Sequence, residues 1–216
     1  MRTALGMITV LTALATPSVA GAATVFDAAG DFLPSYTGSK DADMDVLSFS
    51  VSYDAISQLF TVGATLAGAI DPAKAGFYVI GVDLNGAGNA PFATLGAPNV
   101  RFNRVIQIQK SGTGTIGGGA IRPGDITISG SSFSFKLAAS ALNSGALSAP
   151  FAPVAYGWNL WPRNNSGITD FAPNNALITG AVPEPASWAM MILGMGAIGS
   201  VLRRRGSTRA QSALAA

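Results

Sequence analysis

The sequence has no cysteine and no histidine, and its only glutamate is Glu184. Without cysteine there is no disulfide framework, no thiolate-bound zinc or iron–sulfur cluster, and no thiol nucleophile. Lack of histidine removes the Ser-His-Asp triad, imidazole acid–base catalysis and histidine-ligated metals. Charge is also scarce. Only 11% of the 216 residues are Asp, Glu, Lys or Arg, against about 25% in ordinary soluble domains. Apolar residues make up 49%, too many for a charged, disordered chain.

The formal net charge of +2 is unevenly placed. Residues 24–182 carry 8 basic and 10 acidic side chains, whereas Arg203, Arg204, Arg205 and Arg209 crowd the end of the chain. The basic character therefore belongs to the tail. Lys40, Lys74, Arg101, Arg104, Lys110 and Lys136 are scattered along the middle, which gives no basic stripe for nucleic acid.

Both ends read as targeting segments. Met1-Arg2 is followed by an apolar stretch over residues 4–16, then Pro17 and the small residues Ser18 to Ala22. A positive start, a short apolar core and a small-x-small end describe a signal peptide over residues 1–22, cut after Ala20 or Ala22. The stretch is too short for a stable transmembrane anchor. At the other end, Pro183-Glu184-Pro185 resists helix formation, because each proline fixes φ and biases its predecessor to extended backbone. An accessible, extended segment of this kind fits an enzyme's cleft. Residues 188–202 then form an uncharged run. As a helix it spans about 22 Å, short of the roughly 30 Å hydrocarbon core but close enough for thinning and snorkelling to cover much of the gap. Trp188 marks one interface, and Arg203, Arg204 and Arg205 mark the cytoplasmic side. Residues 206–216 are expected to be a disordered cytoplasmic tail. Gly194, Gly196 and Gly199 spell a dinucleotide-binding spacing, but no strand precedes them and no acidic residue follows, so it is rejected.

The order Pro183, Glu184, Pro185, two variable residues, Trp188, Ala189, a run containing Gly194, Gly196 and Gly199, then Arg203 to Arg205 resembles the PEP-CTERM sorting signal in its PEPxxWA variant. The chain departs from the usual pattern in continuing for 11 residues beyond the arginines. The resemblance implies a protein exported by a Gram-negative bacterium. It implies processing by exosortase, a membrane transpeptidase-like enzyme, after signal peptidase has acted at the other end. It also implies an association with exopolysaccharide and biofilm. The expected precursor is held in the inner membrane by its C-terminal helix, with the body in the periplasm, and the product moves to the cell surface or extracellular matrix.

Residues 23–182 are expected to form one all-β domain, an antiparallel β-sandwich or jelly-roll-like body. Apolar and polar residues alternate over 46–53 and 59–66, with a hairpin between them. Residues 77–84 are nearly continuously apolar, as in a central strand buried on both faces. Further strands are expected over 100–109, 126–128, 133–137, 155–161 and 176–179, with a second hairpin at 129–132 and a short helix over 137–142. Short strands punctuated by Gly, Pro and Asn favour two packed sheets.

Three places in this domain are candidate sites. Asp41, Asp43 and Asp45 alternate, so on extended backbone they share a face and offer hard oxygen ligands to Ca²⁺; the competing reading is a solvated strand start. Asp83 to Asn89 resembles the beginning of a calcium loop but lacks its closing glutamate, which favours a plain turn. Tyr156, Trp158, Trp161, Arg163 and Asn164 combine aromatic faces with hydrogen-bond donors, a candidate glycan contact; alternation puts Trp158 and Leu160 on one face and Trp161 on the other, and the competing reading is core packing. Catalysis finds no support. No Gly-x-Ser-x-Gly elbow or Ser-x-x-Lys pattern occurs, and nothing in the sequence joins two aspartates into a glycosidase pair. The expectation is a non-enzymatic, exported envelope or matrix protein without an obligatory cofactor, with a carbohydrate-binding module as the alternative.

Overall fold

The structure, a computed structural model, describes residues 22–143, 151–179 and 193–196. Contacts divide the chain into two units, Ala20–Pro185 and a second comprising Met1–Val19 and Ala186–Ala216. Of the second unit, 193–196 forms a helical turn with Leu193 and Met195 exposed. Among the described residues no helix is long and apolar enough to cross a membrane. The expected signal-peptide core, the cytoplasmic tail and most of the 188–202 run lie outside the described residues.

The Ala20–Pro185 unit is all-β, built from two antiparallel sheets. One sheet has the order β1 (Ala23–Phe26), β2 (Val46–Asp54), β3 (Leu59–Leu66), β9 (Ser132–Ala138), β8 (Ile126–Ser129). In the other, β11 (Gly167–Ile168) lies beside β10 (Gly157–Asn164), followed by β4 (Phe77–Asp83), β5 (Arg104–Gln109), β6 (Gly114–Ile116) and β7 (Gly119–Ile121). The short β12 (Ile178–Thr179) also pairs with β10. Most neighbours are consecutive in sequence. The sheets are thus meanders stitched by the long-range pairs β3·β9 and β4·β10, without the interleaved order that defines a jelly roll. A single helical turn, α1 (Ala139–Leu142), follows β9.

Period-2 patterning drives the packing. In β2, Phe49, Val51 and Tyr53 point inward; in β3, Phe60, Val62, Ala64 and Leu66 do so. These residues meet the inward faces of β4, β5 and β10 in one shared core. Phe60 meets Trp158 in a tilted contact with ring centroids 4.8 Å apart, and Tyr78 stacks on Phe133 at 4.7 Å. Each buried aromatic contributes about 1.5–3 kcal/mol by leaving water.

The second sheet is covered on its outer side as well. Val79 of β4 and Trp161 of β10 pack there against Phe92, Ala97, Val100, Phe102 and Phe171, which come from chain outside the strands. This second cluster explains why β4 and β10 are buried along nearly their whole length.

Turn chemistry sets the registers. Asp54 closes the β2–β3 connection by accepting from the Ile56 amide at 2.8 Å and the Ser57 hydroxyl at 2.8 Å, an Asx-type turn. Gly117 and Gly118, at φ +53° and +84°, form the two-residue β6–β7 connection that the right-handed strand twist favours.

Candidate functional site

The expected sites are placed as follows. Tyr156, Trp158 and Trp161 are 1%, 0% and 3% exposed. Trp158 fills the inter-sheet core and Trp161 the outer cluster. This corrects the glycan-contact assignment: a stacking platform must offer an aromatic face to solvent, and here these faces are covered by other rings. Asn164 donates to the Tyr36 hydroxyl at 2.7 Å, and Arg163 lies over the Phe77 ring. Asp83 accepts from the Gly86 amide at 2.9 Å and forms a turn, the reading that the sequence favoured.

Asp41, Asp43 and Asp45 are not brought together, which corrects their assignment as a calcium-ligand set. Residues 42–44 form a 3₁₀ turn and not an extended strand, so the shared face on which that set depended is absent. Asp41 pairs with Lys74 at 2.8 Å. Asp43 forms a buried ion pair with Lys110 at 2.7 Å, each side chain 3% exposed. Asp45 turns the other way, toward a group of carboxylates distant in sequence.

That group is built where three segments are laced together. Asp27 and Asp31 lie on the loop leaving β1. Asp45 precedes β2, and Asp170 follows β11. The Leu33 amide donates to the Thr169 carbonyl at 2.8 Å, and the Thr169 hydroxyl donates to the Met44 carbonyl at 2.7 Å. The start of β2 carries a bulge between Val46 and Ser48 in its pairing with β3. A bulge re-aims backbone groups, and here the Val46 amide donates to Asp170 Oδ2 at 3.0 Å. The Phe171 amide donates to Asp170 Oδ1 at 2.6 Å. Gly30, at φ +81°, donates its amide to Asp45 Oδ2 at 2.7 Å. Asn174 Nδ2 donates to Asp27 Oδ1 at 3.1 Å.

One carboxylate oxygen each from Asp27, Asp31 and Asp170 lies within 4.8 Å of the others. Asp27 Oδ2, Asp31 Oδ1 and Asp45 Oδ1 are buried with no hydrogen-bond donor. The ion pairs among the described residues engage Asp41, Asp43 and Asp125 and none of these four. Burial, with added repulsion from Asp27 and Asp31, pushes the Asp170 carboxyl up to about 8. Burial, then the charge of Asp31, pushes Asp27 up to about 6. Burial raises Asp45 as well. Three convergent carboxylates with Asp45 adjoining them, partly desolvated and oxygen-only, suit a hard cation better than acid–base chemistry.

The fold thus defines a two-sheet β-domain with an acidic loop cluster. Its affiliation comes from the other end of the chain: residues 181–205 carry the PEP-CTERM protein-sorting motif. That segment includes Pro183, Glu184, Pro185, Trp188, Ala189, Arg203, Arg204 and Arg205, which lie outside the described residues. The motif implies an exported protein sorted by exosortase. The chain matches no curated protein and no solved structure.

Proposed function

We propose that this chain is a non-enzymatic cargo of the exosortase route. Signal peptidase removes the first 20 or 22 residues. The apolar run at 188–202 holds the precursor in the inner membrane, with the β-domain in the periplasm. Exosortase acts at Pro183-Glu184-Pro185 and releases the domain to the cell surface or extracellular matrix, where it serves a structural role beside exopolysaccharide. The carrying observation is the sorting motif at 181–205, which follows the last described strand, β12, in the sequence.

The test follows the chain through the cell envelope. An internally tagged wild-type protein should lose both ends, as read by mass spectrometry of the mature termini, and appear in the surface or matrix fraction. Glu184→Ala should accumulate as a membrane-bound precursor that retains residue 216. Recovery of intact wild-type chain from the cytoplasm would sink the reading.

A further inference from the structure

We infer that Asp27, Asp31 and Asp170, completed by the adjoining Asp45, form a calcium site that clasps the first strand of the β-domain to its C-terminal segment. The carboxylate cluster alone would not carry this. The second observation is Asp45: only 4% exposed, it is anchored through Oδ2 to the Gly30 amide, while its Oδ1 is buried without a donor. Its anchor, Gly30, immediately precedes Asp31 in the chain, so Asp45 adjoins the three carboxylates whose oxygens lie within 4.8 Å of one another. A buried carboxylate oxygen with nothing to accept from costs free energy unless a cation supplies the missing contact. Asp27 Oδ2 and Asp31 Oδ1 are in the same position.

The spacing suits calcium. Ligand oxygens about 2.4 Å from Ca²⁺ are at most about 4.8 Å apart, and the oxygens of Asp27, Asp31 and Asp170 fall within 4.8 Å of one another. Oxygen-only donors in a chain without histidine or cysteine disfavour zinc and the softer metals. Irregular loops that supply several carboxylates suit calcium's flexible coordination better than the strict octahedron of Mg²⁺.

The site would have a structural effect. Asp27 and Asp170 are far apart in sequence, and loop closure over that length is entropically costly. An ion bound to all three segments in the folded state alone stabilises that state by mass action. This inference does not depend on the sorting route, and its test can fail while that route stands.

The test uses the full chain purified in detergent, stripped with EDTA and then titrated with Ca²⁺ by calorimetry and thermal unfolding. One equivalent should bind. The Tm should rise by about 5–10 °C when free Ca²⁺ is a hundredfold above its dissociation constant. Asp45→Asn should abolish both the heat and the Tm shift. Asp125→Asn, at the exposed Arg122 pair, should keep them. If Asp45→Asn does not fold, Asp31→Asn, at a partly exposed position, serves the same purpose. A wild-type protein indifferent to Ca²⁺ overturns the proposal, as does a full response retained by Asp45→Asn or Asp31→Asn. Equal stabilisation by Mg²⁺ overturns the assignment to calcium.

Discussion

Asp41, Asp43 and Asp45 show how far neighbours in sequence can diverge in role. One makes a surface pair with Lys74, one is sealed against Lys110, and one joins the carboxylate cluster. The buried pair gives the sharpest prediction at this scale. Asp43 Oδ2 also accepts from the Asp71 amide at 3.1 Å, and Lys110 Nζ also donates to the Ala75 carbonyl. Lys110→Met strands a buried carboxylate and should cost about 3–5 kcal/mol in denaturant unfolding. Replacing both partners, Lys110→Met with Asp43→Leu, should recover much of that loss. A single variant as stable as the wild type would show that the pair is not desolvated. The tryptophans make the companion case. Trp161→Ala should cost about 3–5 kcal/mol, as expected for a large core truncation. If it instead leaves unfolding unchanged and weakens polysaccharide binding, the ring is on the surface after all.

Among the elements, the β-hairpins divide into those whose turn is set by side chains and those set by glycine. The β2–β3 turn relies on Asp54. The β6–β7 turn relies on Gly117 and Gly118, where nothing lies within 4 Å of an added Cβ. Space is therefore not what requires glycine there; the left-handed backbone is. Gly118→Ala should lower stability by about 1–2 kcal/mol through backbone strain alone, read as a shift in urea midpoint with an unchanged slope. Gly81 in β4 is constrained differently. An added Cβ would meet the Trp161 ring at 2.6 Å. Gly81→Ala should therefore displace Trp161 and loosen the outer cluster, visible as a change in tryptophan fluorescence. Unaltered emission would count against that packing.

For the whole molecule, the main device is long-range closure. Strand β3 waits for β9, and β4 waits for β10, so each sheet is completed by the second half of the chain. The acidic cluster repeats this arrangement with charge: its members come from the first loop, the start of β2 and the segment after β11. Such non-local contacts slow folding. The expected coupling is that a C-terminal truncation before Asp170 removes β12 and the cluster together and abolishes cooperative unfolding. A sharp two-state transition in that truncation would contradict it.

Much of the fold was legible. Alternation located β2, β3, β8 and β9 to within a residue or two. The continuous apolar run at 77–84 marked a strand buried on both faces, because such a strand has no polar side to show. Strands β6, β7 and β11 escaped because each has only two or three residues and includes a glycine, which contributes no hydropathy, and β1 escaped directly behind the expected signal peptide. The doubled glycine at 117 and 118 was the one signal that could have revealed the β6–β7 hairpin.

What the sequence settled alone was whatever depends on neighbours along the chain. The sorting motif is a linear pattern of proline conformation, apolar length and terminal charge, and an enzyme or a bilayer can read it unfolded. Strand periodicity is local in the same way. The tertiary structure decided which aromatic rings are hidden and which carboxylates meet. Burial and ligand geometry depend on residues more than a hundred positions apart, such as Asp27 and Asp170, and no local spacing encodes that distance.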